Sequence, residues 1–429
     1  MLLVVAAAGC AKTSTGTSTG NPADGKVHVP KGVELAISKL PYEDAPALSS
    51  GDAQKFAASN RAFAFDLYQD FAKTPGNLFF SPYSISVALA MTQAGANTTT
   101  EAENASVMHF DLAEPELHQA FNATAHALAA RKSQLADDAK EGDGFQLSIV
   151  NQAWGQRGTK FLGDYLDVLA QHYGAGMFLL DFGDSEAARG TINGWVKDET
   201  QDRIDELLPN GSLGGDTVLV LTNAIYFKAS WWKAFKVEDT KDGTFNTPSG
   251  AVTVPMMEQN IETAYGEGPG YKAVALPYLS QDVRMIVIVP DAGMFDATVA
   301  KLDDAFFREV HDGMTDSGVQ LRMPKFSFES RPPLAMSLMA LGMHEAFGPS
   351  ADLSGFTGSR GLFISNVLHE AFVAVDEKGT EAAAATAVVI GRHTVPEQVQ
   401  LDVDRPFIFA IYDEPTGQIL FLGHVVDPS

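Results

Sequence analysis

The histidines, carboxylates and hydroxyls of this 429-residue chain are not spaced for catalysis. His344-Glu345 and His369-Glu370 each begin like a zinc-protease motif. Neither has a second histidine four positions on, so neither sets two ring nitrogens on one helix face. Asp352-Leu353-Ser354-Gly355 lacks the first glycine of a nucleophile elbow. No Gly-x-x-x-x-Gly-Lys-Ser/Thr run is present to cradle phosphates. Cys10 is the only cysteine, which excludes thiolate metal sites, redox pairs and an intrachain disulfide. His369 lies in an apolar run (Val367-Leu368, then Phe372-Val373), where a histidine is more often a hydrogen-bonded core residue than a ligand. No metal, no cofactor and no enzymatic activity are expected. The stretch best placed for chemistry is one to be acted upon. Beyond Gly379, ten of the eleven residues Thr380 to Ile390 are Thr, Ala, Val or Ile, and the exception is Glu381. At a period of two, Thr380, Ala382, Ala384, Thr386, Val388 and Ile390 share a face that carries no charge, so it can be buried as a strand. An Ala-rich helix is the competing local reading. The chain then turns polar through Arg392, His393, Thr394, Pro396, Glu397 and Gln398, as a protease-accessible loop does.

Composition narrows the partners. Thirty Lys plus Arg against 54 Asp plus Glu give a formal charge of −24, which repels phosphate backbones and heparin-like polyanions. Nucleic acid is therefore not an expected partner. At 45% hydrophobic residues the chain can bury a large core, and its length alone suggests two domains. Residues 1–8 are apolar, and Gly9-Cys10-Ala11 followed by a Thr/Ser/Gly tract has the look of a bacterial lipoprotein processing site and tether. Lipidation of Cys10 would place the protein outside the cell or on its envelope, with a membrane touched only through that anchor.

Residues 26–50 are Pro-punctuated with weak alternation and no assigned role. Phe56, Phe63, Leu67 and Phe71 recur at helical spacing. Ser81-Pro82 reads as an N-cap and first-turn proline, and Thr98-x-x-Glu101 as a capping box. Strand patterns then dominate: Phe145–Ala153, Val218–Phe227 (apolar nearly throughout, hence buried on both faces), Thr244-Phe245, Val252–Met257, Ala273–Leu276 and Met285–Val289. Gln320–Phe328, Phe363–Asp376 and Ile408–His424 supply late strands, with helices near Phe161–Tyr173 and Leu334–Leu341. Helices early and strands late predict an α+β body.

Six separated segments, in order along residues 50–428, resemble the serpin family of serine protease inhibitors. They are NLFFSPYSISVALAMTQAGA (Asn77–Ala96), LTNAIYFKASWWKAF (Leu221–Phe235), MPKFSF (Met323–Phe328), ADLSG (Ala351–Gly355), ISNVLHEAFVAVDEKGTEAAA (Ile364–Ala384) and DRPFIF with FLGHVVDP (Asp404–Phe409, Phe421–Pro428). The resemblance implies one body over residues 51–429 with three β-sheets and about eight or nine helices, replacing the two-domain expectation. Residues 1–25 then form the processing segment and tether. It also implies an exposed reactive-centre loop from about Gly379 to Pro396, a length unusual for a loop without function.

A target protease would cut that loop as an acyl-enzyme. The freed arm would insert into the large sheet as a new strand, a gain on the order of 10 kcal/mol from ladder bonds and apolar burial. The uncut fold would then be metastable. The hinge of the arm would be Glu377, Gly379, Thr380, Glu381, Ala382, Ala383, Ala384, Ala385 and Thr386. Ile390-Gly391-Arg392-His393 resembles an antithrombin-like cleavage site, which places the reactive bond between Arg392 and His393 and suits a trypsin-like pocket. Counting from Glu377 by the commonest family spacing lands instead on His393, a difference of ~3.3 Å of strand. A subtilisin-like protease is the other target class, and the inhibitor is expected to be monomeric. By position, Ser81, Ser84, Asn223 and His369 correspond to the family's shutter beneath the sheet. Trp231, Lys325 and Glu377 correspond to its breach at the top, with a Glu377–Lys325 ion pair. Helix capping for the serines and core packing for Trp231 are compatible plain readings.

Overall fold

The apolar run beginning at Val218 forms the strand through which the structure is organised. The computed structural model describes residues 28–44, 46–131, 145–215, 217–380 and 399–429. In chain order the strands are β1 (Glu34–Ala36), β2 (Leu78–Phe80), β3 (Phe145–Gln156), β4 (Met177–Leu180), β5 (Leu219–Ser230), β6 (Lys241–Thr247), β7 (Gly250–Gly268) and β8 (Tyr271–Pro277). They continue as β9 (Val283–Pro290), β10 (Thr315–Pro324), β11 (Phe326–Ser330), β12 (Asn366–Asp376), β13 (Gly379–Thr380), β14 (Val399–Asp402), β15 (Phe407–Asp413) and β16 (Gln418–Val425).

Seven strands form one sheet in the order β1-β4-β3-β5-β13-β12-β11. The other nine form a second, in the order β14-β10-β7-β8-β9-β15-β16-β2, with β6 beside β7. Two hydrogen-bonded sheets thus stand, among the described residues, where three were expected. The reason is β7, whose 19 residues pair with β6 and β10 and, at their far end, with β8, joining what would otherwise be separate sheets. Among the described residues ten α-helices accompany them, two of only five and four residues (Phe295–Val299 and Ser354–Thr357), which accounts for the excess over the expected number. The α+β reading holds.

The seven-stranded sheet is buried on both faces, as the unbroken apolar run of β5 requires. One face packs on the main core with the nine-stranded sheet and the helices Ser50–Phe71 and Pro82–Gln93. The other is covered by the helix Ser185–Glu199, where Trp154, Phe178 and Trp195 meet edge to face at 5.1 to 5.8 Å. Of residues 28–44, unassigned from sequence, the first part lies along the sheet's outer edge, where β1 pairs with β4 and Val29, Val33 and Leu35 extend the second core, and Tyr42 and Glu43 pack on the helices Glu114–Ala130 and Gly163–Tyr173. Backbone groups of β4 that would otherwise be exposed are thereby paired, and the three-residue β1 becomes the short edge strand.

Several boundaries differ from the sequence reading. Gln320–Phe328 is two strands, because Pro324 ends β10 in one sheet and the chain resumes after Lys325 as β11 in the other. Ile408–His424 is a hairpin, broken at Glu414–Gly417. Thr98 does open a helix, Thr98–Val107, but forms no capping box; its hydroxyl donates to Asp352, and Asn97 occupies the N-cap position.

Candidate functional site

Strands β5 and β12 are direct parallel neighbours from Val220–Ile225 and Asn366–Ala371. Above that stretch they part, and the two residues of β13 are wedged between them, antiparallel to both. Gly379 opposes Ser230 and Asp376; Thr380 opposes Ala229 and Val375. The site is therefore a seam, closed below and opened by one short strand above.

Beneath the closed part lies a polar network in an apolar core. The helix Pro82–Gln93 begins here because the Ser81 side chain accepts the Ser84 amide at 3.2 Å and Pro82 needs no amide partner in the first turn. The Ser81 amide donates to His369 Nε2 at 3.1 Å, and its hydroxyl donates to the Leu420 carbonyl at 2.7 Å. A backbone amide can only donate, so Nε2 is an acceptor and the ring carries its proton on Nδ1. That N–H points at Asn223 Oδ1. Asn223 Nδ2 in turn donates to Ser84 Oγ at 2.7 Å and to Asn151 Oδ1. Burial pushes the His369 ring down to about 3, so it is neutral at physiological pH. The four residues Ser81, Ser84, Asn223 and His369 are thus in one network. Asn151 of β3 is a fifth member that sequence reasoning passed over; its Nδ2 also holds the Ser84 carbonyl at 3.1 Å. The available signal was that Asn151 falls on the same period-two face as the apolar Phe145, Leu147 and Ile149.

At the top of the seam a second cluster surrounds the turn from β12 to β13. Lys325 Nζ lies 2.8 Å from Glu377 Oε2, and the Thr240 hydroxyl donates to Glu377 Oε1 at 2.8 Å. Burial disfavours the Glu377 carboxylate, but the Lys325 ammonium, the backbone amide and Thr240 outweigh it and hold the carboxyl below its ordinary range. Lys325 reaches this point because it is the single residue between β10 and β11, where the chain crosses from one sheet to the other. Trp231 is tied to the same turn by its indole N–H on the Asp376 carbonyl at 3.0 Å and its amide on the Lys378 carbonyl at 2.8 Å. The Phe235 amide donates to the Glu377 carbonyl at 2.7 Å. Neither Thr240 nor Phe235 was foreseen as a site residue: Thr240 lies in the polar run after Lys236, and Phe235 closes the aromatic Trp231–Phe235 segment without a polar group to single it out.

Gly379 has a steric reason to be glycine. A Cβ there would sit 2.1 Å from the Ala229 carbonyl oxygen, so only a bare backbone fits between the strands at this point. Thr380, the first residue of the uncharged face, is buried and turned toward the main core. Glu381, Ala382, Ala383, Ala384, Ala385, Thr386, Arg392, His393 and Cys10 lie outside the described residues. Among the described residues no cluster of three or more His, Cys, Asp or Glu is arranged to hold a metal ion. No described helix is long and apolar enough to cross a membrane.

Residues 58–428 match the family described as Serpin (serine protease inhibitor). An uncharacterized serpin-like protein of Thermococcus kodakarensis is 36% identical over 417 residues, covering 96% of this chain and 92% of that one. The leukocyte elastase inhibitor of Sus scrofa is 37% identical over 389 residues, 87% of this chain and 100% of that one. Among solved structures, the thermophilic serpin tengpin in its native state superposes with a TM-score of 0.80 at 27% identity, over 92% of this chain and 100% of that one. A seam with a glycine-led wedge at its top, in a chain so matched from one end of the family's length to the other, leads to one assignment: the chain belongs to the serpin family.

Proposed function

We propose that this chain is a suicide-substrate inhibitor of serine proteases of the trypsin-like, Arg-directed class. The protease serine would attack the Arg392 carbonyl, breaking the peptide bond to His393 and leaving Arg392 acylated to the enzyme while the His393 amine departs. Residues from Gly379 toward Arg392 would then enter the β5–β12 seam and carry the acyl-enzyme away before water releases it. Subtilisin-like proteases and cleavage after His393 are the alternatives within this reading.

One observation carries it. β13 lies antiparallel to both β5 and β12, whereas those two strands are parallel to each other below it, which supports entry of the arm at this point. Extending β13 downward would replace one parallel ladder by two antiparallel ones, which are individually somewhat more stable per residue. The inward face of the new strand would meet the main core, and the uncharged alternation after Gly379 suits that, with Glu381 falling on the outward face. On the same reading, the network of Ser81, Ser84, Asn151, Asn223 and His369 governs separation of the seam. Trp231, Lys325 and Glu377 fix the point from which the arm starts.

Incubation with trypsin tests this. A covalent complex that survives hot SDS is expected, and Arg392→Ala should abolish it. Clean cleavage without a complex, and no gain in thermal stability afterwards, would point to a non-inhibitory binding protein. Attachment to the cell envelope through Cys10 belongs to the same proposal, and metabolic labelling with a radioactive fatty acid, with Cys10→Ser as control, decides it.

A further inference from the structure

Thr380 is the last described residue before the arm, and its side chain does not merely rest in the core. Its hydroxyl is 2.7 Å from the hydroxyl of Tyr278, a residue fully shielded from solvent. Tyr278 belongs to the other sheet, at the turn between β8 and β9, where its amide donates to the Val283 carbonyl at 3.0 Å. It is held against the end of β5 by a bridge to Trp231 and by the Leu279 amide on the Ser230 carbonyl at 2.9 Å. The ring stacks on Trp231 with centroids 4.6 Å apart at 10°, and takes the edge of Phe227 at 5.3 Å. Its rotamer is therefore locked, and its hydroxyl is aimed at the one place where β13 lies. Burial raises the phenol, so it remains a neutral donor and acceptor.

We propose that Tyr278 is a positioning residue for the reactive arm, a latch whose hydroxyl seats Thr380 between β5 and β12 before any bond is cut. Two buried hydroxyls satisfy each other, and withdrawing the hinge would strand that of Tyr278 in the core. The seated pair fixes the register of the first inward residue, and with a period of two it fixes the register of every inward residue that follows. The part of this inference that concerns trapping rests on the inhibitory reading above. The seating itself does not.

Amide hydrogen exchange on the uncut, full-length chain tests the seating. Tyr278→Phe and Thr380→Val each keep the shape and remove one hydroxyl. Each is expected to lower protection of the Asp376–Thr380 segment by about 3- to 10-fold, the equivalent of one net hydrogen bond. The double variant should be no worse than the more affected single variant, because both partners are then gone. Protection in β8 and β9 should be unchanged. Unaltered protection at Gly379 and Thr380 in Tyr278→Phe, or a loss spread evenly over both sheets, would overturn the latch and leave Tyr278 as ordinary core.

Trapping provides the second readout. If the wild-type chain traps trypsin, both single variants should raise the fraction cleaved without complex about 3- to 10-fold while the rate of loop cleavage stays constant. An unchanged fraction would overturn the role of the latch in trapping. If the wild-type chain traps nothing, the inhibitory reading fails, and hydrogen exchange still decides the seating.

Discussion

His369 and Asn223 stand opposite each other at one register position of the β5–β12 ladder, and their side chains are hydrogen-bonded across it. That bond lies at the seam that a strand inserting as proposed would have to open. Its proton position is dictated from behind, by the Ser81 amide on the other ring nitrogen. The network therefore joins both sides of the seam to the N-terminus of the helix Pro82–Gln93 beneath it.

Asn223→Ala removes the acceptor of the His369 N–H and the donor to Ser84 and Asn151. Buried groups left unpaired cost about 1–3 kcal/mol each. The uncut variant should unfold at a clearly lower urea concentration than the parent. An equal midpoint would show that the network does not hold the seam.

Two buried histidines, His369 and His424, give the fold a pH dependence of defined sign. Burial lowers His369 to about 3 and His424 to about 4. His424 is clamped between the Tyr68 hydroxyl and the Gly76 carbonyl, both at 2.9 Å. In the unfolded chain both rings take up protons near pH 6.5, whereas in the folded one they do so only well below. The stability their neutral forms contribute is therefore complete above that pH and is lost as pH falls toward the folded values. The slope is about 1.4 kcal/mol per pH unit for each ring. His424→Gln keeps a neutral donor and acceptor, and should reduce the slope of unfolding free energy between about pH 6 and 5 by one proton's worth. A slope unchanged by the substitution would contradict this.

Ala384→Glu would place a carboxylate on the face that Thr380 turns toward the core. Burying it without a partner costs on the order of several kcal/mol. The variant should be cut by trypsin at the parental rate yet form little complex, as read on a denaturing gel. Undiminished complex formation would argue against insertion of that face.

Much of this was legible because the decisive features are local. The uncharged alternation from Thr380, the Ser81-Pro82 helix start and the doubly buried β5 each follow from residue type and period. Contacts between distant segments did not follow from residue type and period; the pairing of Glu377 with Lys325 was expected only through the family resemblance. Tyr278 sits in an unremarkable Pro-Tyr-Leu turn, and only the approach of β8 to β5 makes it the neighbour of Thr380. Lys325 read as the interior of one strand, since sequence does not tell which sheet each half joins. Residues 28–44 gave only weak alternation because β1 is three residues long and takes its stability from β4 and the second core.

Thermal unfolding before and after a single cut in the reactive loop tests the central claim most directly. If the uncut fold is metastable and the severed arm extends β13 down the seam, the cleaved chain melts far above the intact one. Hydrogen exchange on the cleaved chain should then find residues 381–390 protected. A cleaved chain that melts at the temperature of the intact one, with those residues exchanging freely, would contradict the account.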